Sequence, residues 1–240
     1  MPLLSGDKCW AVLPAAGIGR RMEAKLPKQY LEVAGTTVLE HSLLALLACE
    51  FIERVVVVIS PEDTIAAGLD CLNSPRVILA DGGKQRSDSV LAGLLALERV
   101  ASTSDWVLVH DAARPCVSTG DIVRLAQQVC DEGVGGILAI PLVDTVKKAD
   151  NKGRVDATVD RQLLWCAQTP QMFRLGLLRA ALCSAAVKGL AITDEASAME
   201  LAGEAVQLVV GSPSNLKVTV AGDLPLVEFY LSQQHANSNS

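Results

Sequence analysis

Four cations crowd one short stretch of this 240-residue chain: Arg20, Arg21, Lys25 and Lys28 fall within nine consecutive positions. The whole sequence holds only 21 Lys and Arg, so uniform scatter would place about one of them there. They follow Leu13-Pro-Ala-Ala-Gly-Ile-Gly19. In that turn Ala15, Ala16, Gly17 and Gly19 are small enough for a ligand to approach the backbone, whose N–H groups can meet phosphate oxygens. Pro27 restricts the chain just before Lys28 and can aim its ammonium back at the turn. A polyphosphate fits this pattern; the plain alternative is a solvated basic turn. Neither common nucleotide motif is satisfied, because Met22 stands where a dinucleotide fingerprint needs its third glycine and no Gly-Lys-Ser/Thr follows. A second candidate is Asp111, directly after the apolar run Trp106–His110. A carboxylate at the end of a strand beside a phosphate loop suits Mg2+, which takes one or two carboxylates plus phosphate oxygens. A helix cap or an ion pair with Arg114 explains Asp111 as well.

The elements that must hold these residues alternate in type. Buried strands are expected at Cys9–Pro14, Arg54–Ser60, Arg76–Ala80, Trp106–His110 and Gly136–Pro141, the second reading Arg-Val-Val-Val-Val-Ile-Ser. Continuous β-branched runs belong to strands covered on both faces. Helices are expected over Thr37–Cys49, Pro61–Leu69, Ser87–Val100 and Thr119–Glu132. Repeated strand–helix–strand units imply right-handed crossovers, hence an α/β fold with a mostly parallel sheet and helices on both faces. The segment 141–169 breaks the rhythm. Val143–Lys148 and Arg154–Thr158 flank Asp150-Asn-Lys-Gly153, a hairpin signature. Having little apolar surface, the hairpin should project as a lid, as an arm gripping a second subunit, or as an ordinary surface hairpin. Helices near Leu175–Lys188 and Asp194–Leu201, strands at Val206–Val210 and Lys217–Val220, and a helix from Asp223 to about Leu231 complete one domain over 1–240. The polar tail 232–240 is expected to be disordered.

Pro14-Ala-Ala-Gly-Ile-Gly-Arg-Arg-Met22 with Pro27-Lys-Gln-Tyr30 resembles the signature of nucleotidyltransferases that couple an NTP to a phosphorylated small molecule. More narrowly, the chain resembles the 2-C-methyl-D-erythritol 4-phosphate cytidylyltransferases of the non-mevalonate isoprenoid pathway. The likeness continues in order through Asp81-Gly-Gly83, Arg86-Ser-Asp-Ser-Val90, Val109-His-Asp-Ala-Ala-Arg-Pro115, Val159-Asp-Arg161, Thr169-Pro-Gln171, Ile192–Ser197 and Asn215-Leu-Lys-Val-Thr219. It implies a Rossmann-like sheet and attack by an acceptor phosphate on the α-phosphorus of CTP, releasing pyrophosphate with Mg2+ as cofactor. By this resemblance Arg21 and Lys28 stabilise the charge that develops on the phosphates. Pro14, Ala15, Ala16, Gly17, Gly19 and Arg20 line the triphosphate pocket, while Gly82, Gly83 and Ser89 recognise cytosine. Arg161 and Lys217 position the acceptor phosphate, with Thr193 and Arg114 as further contacts. Asp144 and Thr145, on the arm, reach toward a neighbouring subunit of a homodimer, and Asp111 holds the metal. His110 is assigned to structure, because a phosphate nucleophile is already ionised at neutral pH. Ser87, Asp88 and Asp194 are equally well explained as helix caps. Asp223 is a cap or a second metal ligand, and there Ala221-Gly222-Asp223 replaces the family's Pro-Glu-Asp.

Composition narrows the alternatives. Half the residues are hydrophobic and a fifth are charged, which excludes whole-chain disorder. A net charge of −6 with three Trp, two Tyr and three Phe disfavours nucleic acid partners. The longest apolar run, Leu43–Cys49, is too short to cross a bilayer. Seven cysteines without a CxxC pair indicate neither a zinc site nor a disulfide framework. Together with an N-terminus lacking a signal-peptide h-region, they lead us to expect a cytoplasmic protein. A ribitol 5-phosphate cytidylyltransferase would share the CTP half and differ only around Arg161, Thr193 and Lys217. A regulatory nucleotide binder that lost turnover is a second alternative, and a nicotinamide oxidoreductase fails at Met22.

Overall fold

The computed structural model describes residues 6–17 and 26–238. Its strands and helices run in chain order as β1 (Cys9–Pro14), β2 (Glu32–Val33), β3 (Thr36–Thr37), α1 (Val38–Leu47), β4 (Ile52–Ile59), β5 (Val77–Asp81), α2 (Arg86–Leu97), β6 (Trp106–Val109) and α3 (Thr119–Glu132). There follow β7 (Gly136–Pro141), β8 (Val146–Ala149), β9 (Val155–Val159), β10 (Trp165–Arg174), α4 (Leu175–Val187), α5 (Glu195–Leu201), β11 (Gln207–Val210) and α6 (Leu224–Ser238). Seven strands form the central sheet in the order β11-β7-β10-β6-β1-β4-β5. All neighbours pair in parallel except β10, which is antiparallel to both β6 and β7.

The expected alternation of strand and helix is therefore present, and β1 shows why its sequence lacks a polar face. Cys9, Ala11 and Leu13 pack on one side among Leu39, Leu43 and Ile122 from α1 and α3. Trp10 and Val12 pack on the other among Leu94, Leu97 and Leu178 from α2 and α4. With helices on both faces, each strand position meets apolar neighbours. The helix starts follow the capping rules. Thr37 accepts the Glu40 N–H while Glu40 reaches back to the Thr37 N–H, Ser118 accepts from Asp121, and Asp194 accepts from Ser197.

Several expectations are corrected. Residues 61–69 form no α-helix; short 3-10 turns occupy Ala66–Gly68 and Asp70–Asn73. There Asp63 draws the N–H groups of Ile65 and Ala66 onto its carboxylate and so competes with helical pairing. The segment 217–220 is not a strand. Val218 donates a single bond to Ala113 O, after which Asp223 gathers the N–H groups of Thr219 and Val220. The arm ends before 169, because Trp165–Arg174 crosses the middle of the sheet as β10. Its Gln168-Thr-Pro-Gln171 stretch carries three polar residues, yet all four are buried. Several of their polar groups bond internally, Gln171 Nε2 to Asp194 and Thr169 O to Asn215 Nδ2 among them. The Thr169–Pro170 bond is cis. Finally, α6 extends to Ser238, so the stretch from 232 read as a tail is helical. The hairpin itself is present as β8 and β9, paired with each other and almost wholly exposed.

Helix α2 sits closely over β1 and β4 at Gly93, where an added Cβ would lie 2.5 Å from Val12 Cγ1 and 3.0 Å from Val58 Cγ2. Gly→Ala inside a helix normally gains up to about 1 kcal/mol. Here overpacking of two fully buried valines outweighs that gain, and overpacking costs about 1–3 kcal/mol. Gly93→Ala should therefore lower the unfolding free energy in urea, and a stabilised variant would show that the helix can lift.

Candidate active site

At the carboxyl ends of the strands lies a cavity of about 980 Å³. Its walls come from the segments leaving four neighbouring strands: Pro14–Gly17 after β1, Ser60–Glu62 after β4, Gly82–Arg86 after β5 and Asp111–Ala113 after β6. Lys28, Gln29, Ser89 and Lys217 complete them. Ligands of open α/β sheets bind at this end.

Each wall is fixed by bonds that the local sequence dictates. Ala15 N continues the β1–β4 ladder by donating to Val58 O at 2.7 Å. Buried Gln29 donates to Ala15 O at 2.7 Å and so ties the segment carrying Lys28 to the small-residue turn. Lys28 Nζ lies 3.3 Å from Val218 O, next to Lys217. On α2, Ser89 Oγ donates to Gln85 O and accepts the Gly83 N–H, while Asp88 accepts the Gln85 N–H as an N-terminal cap. A Cβ on Gly82 would come within 2.3 Å of Ala16 Cβ, so two loops meet there at a distance that only glycine allows.

The most charged part of the wall is a chain of ions. Asp111, buried at the end of β6, is contacted by Arg86 Nε on Oδ1 and by Lys217 Nζ on Oδ2, both at 2.7 Å. Arg86 also grips both oxygens of Glu195, at 2.6 and 3.0 Å, and Glu195 is 1 % exposed. Burial pushes the Asp111 carboxyl up, but the charges of Arg86 and Lys217 outweigh it and hold the group well below the usual carboxylate range. Burial likewise disfavours the Arg86 cation, and Glu195 and Asp111 reverse that effect, fixing it as a guanidinium.

Of the residues singled out in the sequence, Pro14, Ala15, Ala16, Gly17, Lys28, Gly82, Gly83, Ser89, Asp111 and Lys217 lie together in the cavity wall. Gly19, Arg20, Arg21 and Lys25 lie outside the described residues. Arg114, Asp144, Thr145, Arg161 and Thr193 do not line the cavity. Arg114 instead donates to Asn215 O at 2.7 Å and braces the segment before Lys217. Thr193 is exposed beside the cap residue Asp194, and Asp144, Thr145 and Arg161 are exposed on the arm. The sequence reading missed Gln29, Ser60–Glu62, Lys84 and Glu195. Gln29 lies inside the Pro27–Tyr30 signature without a role assigned to it, and Glu195 lies inside Ile192–Ser197, where it read as part of a helix start.

A profile of the family described as 2-C-methyl-D-erythritol 4-phosphate cytidylyltransferase matches residues 9–233. The chain belongs to that family. A cytidylyltransferase of this name from Pseudomonas aeruginosa (strain UCBPP-PA14) is 53% identical over 216 residues, spanning 90% of this chain and 92% of the relative. A crystal structure of 4-diphosphocytidyl-2C-methyl-D-erythritol synthase superposes with a TM-score of 0.82 at 40% identity, covering 95% of this chain and all of that one. The Francisella tularensis cytidylyltransferase gives 0.81 at 34% identity over 93% of this chain and 100% of its own. As a family member the chain is a nucleotidyltransferase that moves CMP from CTP to 2-C-methyl-D-erythritol 4-phosphate. Among the described residues no helix is long and apolar enough to cross a membrane.

Within this cytidylyltransferase, both oxygens of Asp111, the carboxylate expected from sequence to hold Mg2+, are contacted by cations, Arg86 and Lys217. Asp223 is a cap: its Oδ2 accepts from Thr219 N, Thr219 Oγ1 and Val220 N.

His110 has the structural place expected. Its buried ring lies with Nε2 3.1 Å from Arg114 O and Nδ1 3.0 Å from Thr169 Oγ1, and Thr169 Oγ1 accepts the Asp111 N–H. The network assigns the proton to Nε2, with the Thr169 hydroxyl donating to Nδ1. Burial lowers the ring to about 4 from 6.5. Because the folded value is depressed, the unfolded chain takes up a proton first as pH falls. The fold then loses stability between pH 6.5 and about 4, by about 3 kcal/mol in all. NMR of the His110 imidazole should show no titration above pH 5; a midpoint near 6.5 would contradict the assignment.

Proposed function

We propose that cytidylyl transfer takes place in the cavity between the β1 turn and Asp111, with the cations of its wall taking up the charge that moves during the reaction. A phosphate oxygen of the acceptor attacks the α-phosphorus of CTP, the bond to the β-phosphate breaks, and pyrophosphate leaves. The nucleophile is already an anion, so no general base is required. The enzyme's task is alignment and neutralisation of phosphoryl oxygens. The observation that carries this reading is the convergence of Lys28 and Lys217, which meet through Val218 at the carboxyl ends of β1 and β6.

In this reading Lys28, with Arg21, stabilises charge on the triphosphate, and Arg20 assists at the phosphates. The backbone of Pro14–Gly17 cradles the nucleotide, and Gly82, Gly83 and Ser89 face the base with N–H and hydroxyl groups that discriminate by hydrogen-bond pattern. Lys217 draws in the acceptor phosphate, with Thr193 at the edge of the acceptor side and Arg114 bracing it through Asn215. Magnesium enters as part of the substrate, bound to the triphosphate of CTP, and not on a protein carboxylate. The acceptor is methylerythritol phosphate, as in the relatives' names, and not a ribitol phosphate. All seven cysteines are free thiols, which suits a reducing cytoplasm.

Arg161, Asp144 and Thr145 require a second chain in this account. They stand on a hairpin that carries exposed Val143, Val155 and Leu163, the last 90% exposed. Apolar side chains on a projecting arm favour pairing of two copies, with each arm serving the neighbour's acceptor site. The test is a heterodimer with differently tagged subunits, one Lys28→Ala and the other Arg161→Ala. Each homodimeric variant should release pyrophosphate from CTP and methylerythritol phosphate about a hundredfold more slowly than wild type. If Arg161 acts across the interface, the heterodimer keeps one intact site of two and recovers about half of wild-type activity. No recovery would place Arg161 in its own chain's site or outside the reaction.

A further inference from the structure

Glu195 is the least exposed ionisable side chain among the carboxylates of this end of the sheet, at 1 %. Among the described residues its side chain bonds to Arg86. Arg86 starts α2, while Glu195 starts α5 some 109 residues later. The guanidinium spends both terminal nitrogens on Glu195 and has only Nε for Asp111 Oδ1. Asp111 Oδ2 is thereby left for Lys217 Nζ at 2.7 Å. Arginine offers a planar fork that prefers to grip a carboxylate with two parallel bonds. Without Glu195 that fork is free to turn onto Asp111, and its second bond competes directly with Lys217.

We infer that Glu195 is a positioning residue for cytidylyl transfer: by occupying the Arg86 fork it reserves one Asp111 oxygen for Lys217 and so sets where the Lys217 ammonium stands in the cavity. The inference rests on the proposed role of Lys217 at the acceptor phosphate. It gives the α5 start a function besides capping, since Asp194 caps the helix while its neighbour Glu195 faces Arg86. Glu195 does not itself line the cavity, so its effect has to pass through Arg86 and Asp111.

The decisive experiment is a double-mutant cycle on the full-length enzyme. Glu195→Gln keeps the shape and removes the charge, and Lys217→Gln removes the end of the chain. Single-turnover rates and both KM values are measured for wild type, each single variant and the double variant. Glu195→Gln should slow transfer by about tenfold or more and leave the KM for CTP within about twofold, with Glu195→Asp recovering part of the rate. In the Lys217→Gln background the same change should cost less than about twofold, because the group it positions is gone. An equal loss in both backgrounds would overturn the inference and leave Glu195 a general stabiliser of the fold. A Lys217→Gln enzyme with wild-type rates would overturn it differently, by removing the role of Lys217 on which it rests. If Glu195→Gln does not fold, Arg86→Lys serves in its place. It retains the charge, loses the fork, and must show the same dependence on Lys217.

Discussion

Asp111 brings its carboxylate into a wall that also holds Lys28, Lys84, Arg86 and Lys217. Four cations of one site repel one another unless something shares charge among them, and a substrate triphosphate is absent for part of every cycle. Asp111 does this for Arg86 and Lys217 by giving one oxygen to each. Glu195 neutralises the remainder of the Arg86 charge from below. Ion pairs taken out of water stabilise little on balance, but removing one member leaves an unpaired buried charge at a cost of about 3–5 kcal/mol. The chain of ions therefore holds a geometry more than it adds stability. The wall keeps an excess of positive charge facing the cavity, ready for a polyanion.

The sheet supplies the precision this arrangement needs. Asp111 leaves β6 with its N–H bonded to Thr169 of β10. Neutral His110 joins the same hydroxyl from one residue earlier. The antiparallel β10 thus buttresses the catalytic end of β6 from one side, while β1 flanks it on the other. Arg86 and Ser89 project from the first turn of a helix clamped on β1 and β4 through Gly93. Rigid packing of α2 becomes rigid placement of a guanidinium, and the base-facing loop Gly82–Gly83 is fixed by the same helix.

What could be read from residue order alone follows from where the information sits. The parallel strands announced themselves because residues such as Val55–Val58 are apolar on both faces. The helices did so as the longer stretches between those strands, and the structure adds caps such as Thr37 and Ser118. β10 escaped because its centre, Gln168–Gln171, is polar, and its bonds go to Asp194 and Asn215, far along the chain. The run 61–69 misled for the opposite reason, since Asp63 favours a local turn over an α-helix. In the site, glycines, prolines and clustered cations mark the nucleotide wall in sequence. Asp111 was found by its position after a strand, but not its partners. Whether a carboxylate meets a metal or two cations depends on residues 25 positions upstream and about a hundred downstream. Glu195 lies buried behind the wall and carries no motif that separates it from a helix start.

The central proposal is that Asp111 organises protein cations and that magnesium arrives on the nucleotide, and its most direct test is Asp111→Asn assayed across a range of Mg2+ concentrations at saturating CTP and acceptor. The account predicts a fall in kcat of about a hundredfold, with the Mg2+ concentration giving half-maximal rate unchanged from wild type. A large rise in the Mg2+ required, with kcat recovering when the ion is in excess, would contradict it and return Asp111 to the metal.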